Sequence, residues 1–276
     1  MYENLKRNLQ KLGLLRLALI PFRLRFALGY YTPKLKQIFF WLFYSKEDTN
    51  FSYELTQRNL SYLAQVISIV TNSPVSVIEK YLNEPVMDDD LKKYVIKQSM
   101  LSEFSSTTDA RCDFGRRLGW YAIVRTIKPK IIVETGVDKG LGSVLLCYAL
   151  KKNTEEGFSG RYFGTDINPT AGFLLQDPYK KFGEILYGDS IESLKNFKNS
   201  IDVFINDSSH SGEYEYNEYL AIEQKLSDKS IILGDNSHST DKLLLFSKKT
   251  GRNFLFFKEE PKNHWYPGGG IGISFK

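Results

Sequence analysis

Leucines recur at three- and four-residue steps at the start of the chain: Leu5, Leu9, Leu12, Leu15 and Leu19. That spacing predicts an amphipathic helix over residues 1–20, which Pro21 ends or kinks. Residues 34–44 are rich in aromatics, with Phe39, Phe40, Trp41, Phe43 and Tyr44. Asn59–Thr71 reads as a helix. Ser73-Pro74 opens another, with Ser as cap and Pro at the first helical position. Asp88, Asp89 and Asp90 put three acids at the positive end of a further helix over Leu91–Met100. Residues 1–112 therefore read as a helical region.

From residue 113 the pattern changes. A helix from Phe114 to Ile127 stops at Lys128-Pro129, and short apolar runs then alternate with helical ones. Strands are expected at 130–135, 161–166, 183–187, 201–206 and 229–235. Helices are expected at Leu141–Lys152, Ile191–Phe197, Glu213–Leu226 and Asp241–Thr250. Two last strands, near 253–258 and 270–275, flank Gly268-Gly269-Gly270. Such alternation makes residues 113–276 an α/β domain with a mostly parallel sheet covered by helices on both faces. In these sheets ligands sit beyond the carboxyl ends of the strands.

Composition narrows the classes. The 276 residues are 42% hydrophobic and 25% charged, a globular balance that excludes wholesale disorder. Cys112 and Cys147 cannot build a disulfide framework, and two thiols with three His argue against structural zinc. A reducing, cytoplasmic setting is the natural expectation. The net charge of +5 is uneven: residues 1–46 hold nine cations against Glu3 alone. The basicity belongs to an N-terminal arm, which speaks against a nucleic-acid-binding body. No apolar stretch reaches the ~20 residues of a membrane span, and Arg16, Arg23 and Arg25 break any secretory leader. The arm is expected to be an amphipathic helix docked on its own domain or a lid over the site, with peripheral contact to anionic lipid or a partner as the alternative; a homo-oligomer is a separate expectation.

The strand ends carry the chemistry. The first strand runs into Glu134-Thr135-Gly136-Val137-Asp138-Lys139-Gly140-Leu141-Gly142-Ser143. Glycines there permit a tight turn, and the next helix points its N–H groups at whatever lies above. Glu134, Gly136, Gly140 and Ser143 are candidate cofactor contacts; a bare glycine turn is the plainer account. The dinucleotide spacing G-x-G-x-x-G is absent. The second strand ends at Asp166, placed to accept from ribose hydroxyls or to cap a turn. Asp189 and Ser190 after the third strand suit an adenine edge or a helix cap equally. The fourth and fifth strands deliver Asp207 and Asp235-Asn236, hard oxygen ligands suited to Mg²⁺ or Mn²⁺, or else two ordinary caps. His210, three residues past Asp207, is the candidate general base. His238, His264, Trp265 and Tyr266 are candidate substrate residues, the aromatic pair suiting a sugar face or a buried cluster.

This ordered set of strand-end motifs resembles the class I S-adenosylmethionine-dependent methyltransferases, over roughly residues 113–276. Leu226–Asn236 is similar to the fifth-strand segment of Mg²⁺-dependent catechol-type O-methyltransferases. Asp207-x-x-His210 is similar to the sugar O-methyltransferases of macrolide pathways and the cephalosporin-hydroxylase-like group. The resemblance implies a Rossmann-like seven-stranded sheet with the last strand antiparallel. It implies that Glu134 holds the methionine end of S-adenosylmethionine, Asp166 the ribose, and Asp189 with Ser190 the adenine. It also implies a metal on Asp207, Asp235 and Asn236, with Asp207 and His210 as the catalytic pair. Ser209 departs from the pattern, standing where many relatives carry a second acid. The expected activity is methyl transfer to a hydroxyl of a sugar, glycan, glycolipid or other small molecule. The alternatives are a metal-free methyltransferase of a small molecule or protein, and a non-catalytic adaptor that keeps the fold.

Overall fold

The computed structural model describes residues 7, 10, 11, 13–209 and 211–276. The chain divides into two compact units. One comprises residues up to Ser45 with Asn263–Tyr266, the other Lys46–Lys262 with Pro267–Lys276. The division falls at residue 46 and not at the expected border near 112. The reason is packing: the helices after residue 56 bury Leu63, Ala64, Ile67, Ile78 and Leu82 within the sheet-bearing unit.

In the first unit, α1 spans Ile20–Tyr44 and follows a four-residue helix at Leu15–Ala18. Pro21 sits in the first turn of α1, where its missing N–H costs nothing. The helix continues through Pro33. Leu5, Leu9 and Leu12 of the predicted opening helix lie outside the described residues. The Lys34 Nζ donates to the carbonyls of His264 (2.7 Å) and Tyr266 (3.2 Å), and the Trp41 and Trp265 rings lie 4.9 Å apart.

The second unit opens with α2 (Gln57–Thr71), α3 (Val75–Met87) and α4 (Asp89–Leu101). Thr56 caps α2, and Asp88 caps α4 by accepting from the Leu91 N–H at 2.8 Å. Ser73 gives α3 no cap; Pro74 holds that place in extended backbone. Then α5 (Arg117–Ile127) ends on Lys128 in the left-handed conformation, ahead of Pro129.

The alternation follows as expected: β1 (Ile131–Thr135), α6 (Leu141–Glu155), β2 (Arg161–Asp166), β3 (Gly183–Tyr187), α7 (Ser190–Asn196) and β4 (Ile201–Asn206). It continues with α8 (Gly212–Ile222), β5 (Leu226–Gly234), α9 (Lys242–Lys249), β6 (Asn253–Lys258) and β7 (Gly270–Phe275). The described residues form a seven-stranded sheet in the order β3-β2-β1-β4-β5-β7-β6. Only β7 is antiparallel to its neighbours, β5 and β6. The order reverses direction between β1 and β4, which pair Thr135 with Asn206. In sheets of this kind such a switch point is where ligands bind. Below it, Val133, Phe204, Tyr219, Ile232 and Phe246 form a dry core. The core fixes the height of the strand ends, so the residues after Thr135, Asn206 and Gly234 are held rigidly.

Candidate active site

The β1–α6 turn is shaped by two glycines with positive φ, +79° at Gly136 and +94° at Gly140. A Cβ on Gly136 would overlap the Asp207 carbonyl, so only glycine lets the β1 and β4 ends approach this closely. Asp166 pins the same turn. Its Oδ2 accepts from the Val137 and Asp138 N–H groups (2.9 and 3.0 Å), and its Oδ1 accepts from Asn168 N–H (2.8 Å). The result is an open glycine cradle at the N-terminus of a long helix, the geometry that favours a close backbone approach by a charged or polar cofactor.

Glu134, on the last turn of β1, is buried and accepts from the Tyr162 hydroxyl and from Ser143 Oγ (3.3 Å). Burial pushes its pKa up to about 7, against those hydrogen bonds and the charge of Arg117. Ser143 is thus hydrogen-bonded to both Glu134 and the Tyr162 hydroxyl. Ser190 is likewise buried, bonded to Glu218 and to the Tyr214 hydroxyl (2.9 Å). Asp189 caps α7 by accepting from Glu192 N–H (2.9 Å), and its other oxygen accepts from Tyr214 (2.9 Å). Asp189 is thus the N-cap of α7, while Ser190 bonds side chains and caps nothing.

The expected metal ligands come together, but around a different cation. Arg116, the residue before α5, is buried, and its Nε and Nη2 donate to the two carboxylate oxygens of Asp235; the Nη2 bond is 2.7 Å. Its Nη1 donates to the Tyr53 hydroxyl (2.7 Å) and lies 3.5 Å from Glu259 Oε1. Tyr53 in turn donates to Glu259 Oε2 (2.9 Å). The Asp207 carboxyl neighbours that of Asp235. Burial, then the neighbouring Asp235 charge, push the Asp207 carboxyl well above the ordinary carboxylate range, against the pull of Arg116 and Arg117. Burial also penalises ionised Asp235, but the Arg116 charge and its hydrogen bonds outweigh that and hold Asp235 below the ordinary value. Of the two carboxyls, Asp207 is the one whose surroundings favour the proton.

This arrangement does not fit a divalent ion. A guanidinium fork occupies both Asp235 oxygens, and the Asn236 amide donates to the Ser209 carbonyl at 3.2 Å. Among the described residues no group of three or more His, Cys, Asp or Glu side chains is arranged to hold a metal. The positive charge beside the expected metal residues Asp207 and Asp235 is that of Arg116.

His210 lies outside the described residues. His238 is tied to its own turn, its Nδ1 3.0 Å from the Asp235 carbonyl. His264, Trp265 and Tyr266 belong to the first unit, gathered on α1 at Lys34 and Trp41. Sequence reasoning missed Arg116, Tyr53 and Glu259. The one local signal was Gly115-Arg116-Arg117, two cations entering a helix start, where acids are the usual choice.

Residues 133–237 match a family model described as a methyltransferase domain. No curated protein matches the chain. Among solved structures, a Podospora anserina methyltransferase, PaMTH1, bound to SAH shares 16% identity over 69% of this chain and 89% of that one, with a TM-score of 0.48. A Geobacter sulfurreducens methyltransferase shares 14% identity over 66% and 89%, with a TM-score of 0.49. The matched segment begins inside β1 and closes just beyond Asp235 and Asn236, so it takes in the glycine cradle, the strand-order switch and both strand-end acids. Residues 133–237 thus match a methyltransferase domain, and they lie in a seven-stranded sheet with β7 reversed, the Rossmann-like fold of class I methyltransferases.

Proposed function

We propose that the domain methylates a hydroxyl oxygen without a metal, on a sugar, glycan or glycolipid acceptor. The observation that supports this reading is the Asp207–Asp235–Arg116 cluster at the adjacent ends of β4 and β5, beside the glycine cradle. When bound, S-adenosylmethionine supplies an electrophilic methyl on a sulfonium. Gly136, Gly140 and the first turn of α6 would hold it, with Asp166 fixing the turn and offering its remaining lone pairs to ribose hydroxyls. The new oxygen–carbon bond forms as the sulfur–carbon bond breaks, and the electron pair of that bond stays on sulfur. The hydroxyl proton needs an acceptor. A raised carboxyl pKa makes ionised Asp207 a stronger base than an ordinary carboxylate, and its setting stays fixed because Arg116 locks Asp235.

The test is release of S-adenosylhomocysteine from S-adenosylmethionine with a panel of glycan and glycolipid acceptors, in chelator and with added Mg²⁺. The proposal expects turnover that chelator leaves unchanged and that Asp207→Asn lowers by ~10²–10⁴. Loss of turnover in chelator with recovery in Mg²⁺ would return the reading to the metal-assisted one. His210→Ala belongs in the same assay: a loss as large as that of Asp207→Asn would move the proton to the imidazole.

A further inference from the structure

Helix α1 has 25 residues, and none of its side chains is buried. Ile20, Leu24, Leu28, Tyr31, Leu35, Ile38 and Leu42 recur along it at steps of three and four, and all seven are exposed. At 3.6 residues per turn they form one continuous stripe about 33 Å long. Arg25 and Lys36 border the stripe on one side, and Arg23 borders it on the other. Lys34, also on that second side, is committed to the carbonyls of His264 and Tyr266. The segment that holds Lys34 and Trp41 therefore lies on a flank of the helix and not on the stripe. An apolar stripe of this length exceeds what a monomer usually leaves in water and marks an interaction face.

Charge identifies what covers it. Asn4–Lys46 contains no Asp or Glu. A second copy of α1 laid on the stripe would bring cations against cations with no acid to offset them. An anionic lipid surface does the reverse: the stripe enters the acyl boundary while flanking Arg and Lys stems reach back to phosphates. No helix among the described residues is long and apolar enough to cross a membrane, so the geometry is that of a helix lying in the interface. We propose that α1 is an interfacial anchor for an anionic bilayer, through the stripe Ile20–Leu42 flanked by Arg23, Arg25 and Lys36.

The experiment is co-sedimentation of the full chain with phosphatidylcholine vesicles, with and without phosphatidylserine, beside light scattering of the lipid-free chain. The expected result is binding only to the anionic vesicles, weakening as salt rises past ~0.15 M. Neutralising three cations, Arg23→Gln with Arg25→Gln and Lys36→Gln, should weaken partitioning roughly 100-fold. Leu24→Glu with Leu35→Glu and Leu42→Glu should abolish it, while S-adenosylhomocysteine affinity stays unchanged as the check that the other unit is folded. Equal binding to neutral vesicles would overturn the proposal. So would no vesicle binding at all, or a lipid-free dimer that the three Glu substitutions dissolve.

Discussion

Replacing Arg116 by alanine should destabilise the sheet-bearing unit more than a surface change could. The guanidinium is nearly inaccessible, bonds both Asp235 oxygens and the Tyr53 hydroxyl, and sits 3.5 Å from Glu259. Its removal leaves two buried carboxylates without their cation. Breaking a buried pair from one side costs about 3–5 kcal/mol. For a domain of this size that lowers Tm by roughly 6–20 °C. The pH dependence carries a second signature. Asp235 is held below its ordinary pKa, so its contribution is present above the unfolded value of ~3.9 and is lost as pH falls through the folded one. Without Arg116, burial governs Asp235 and its pKa rises. The variant should therefore lag wild type most at neutral pH and approach it as the pH falls toward about 4 and Asp235 takes a proton. Adding Asp235→Asn to Arg116→Ala should recover at least ~1.5 kcal/mol, because the penalty comes from the unpaired charge. Thermal melts of the wild type, both single variants and the double variant from acid to neutral pH provide the check. A Tm change of under ~2 °C for Arg116→Ala, or strictly additive losses, would refute the reasoning.

Other consequences concern the groups around that pair. Burial holds Glu134 at about 7 against an unfolded value of ~4.5, so wild-type stability should decline as pH rises from ~4.5 through 7. Glu134→Gln should flatten that decline in melts, by up to roughly 3 kcal/mol at the alkaline end. Gly136→Ala forces a Cβ into the Asp207 carbonyl at a φ of +79°, and calorimetry should show S-adenosylhomocysteine binding weakened by at least ~10-fold or absent. The methyl-transfer rate of the wild type should rise with pH through the raised Asp207 pKa, and the residual rate of Asp207→Asn should lack that limb.

Local signals made most of the sheet legible. Arg161–Asp166, Gly183–Tyr187, Ile201–Asn206, Asn253–Lys258 and Gly270–Phe275 lie where apolar runs and turn residues predict them. Their ends needed no tertiary knowledge, because Gly, Asp and Asn punctuate each one. The glycine turn was legible for the same reason: positive φ leaves a trace in residue type. What stayed hidden depends on partners far along the chain. Arg116 and Asp235 are 119 residues apart, and no spacing rule joins them. Ser143 and Ser190 stood in plausible ligand positions, yet buried Glu134 and Glu218 claim their hydroxyls. The compact units were not legible because α2 to α4 share a helical texture with α1, while their buried leucines tie them to the sheet. Pro33 gave no break because the backbone accommodates it inside a long helix.

The most direct measurement is calorimetric titration of the full chain with S-adenosylhomocysteine, in chelator and again with excess Mg²⁺, with NAD as the control ligand. The account predicts one site per chain, the same affinity in both conditions and no heat with NAD. Binding that appears only with Mg²⁺, or no binding of S-adenosylhomocysteine in either condition, would contradict it.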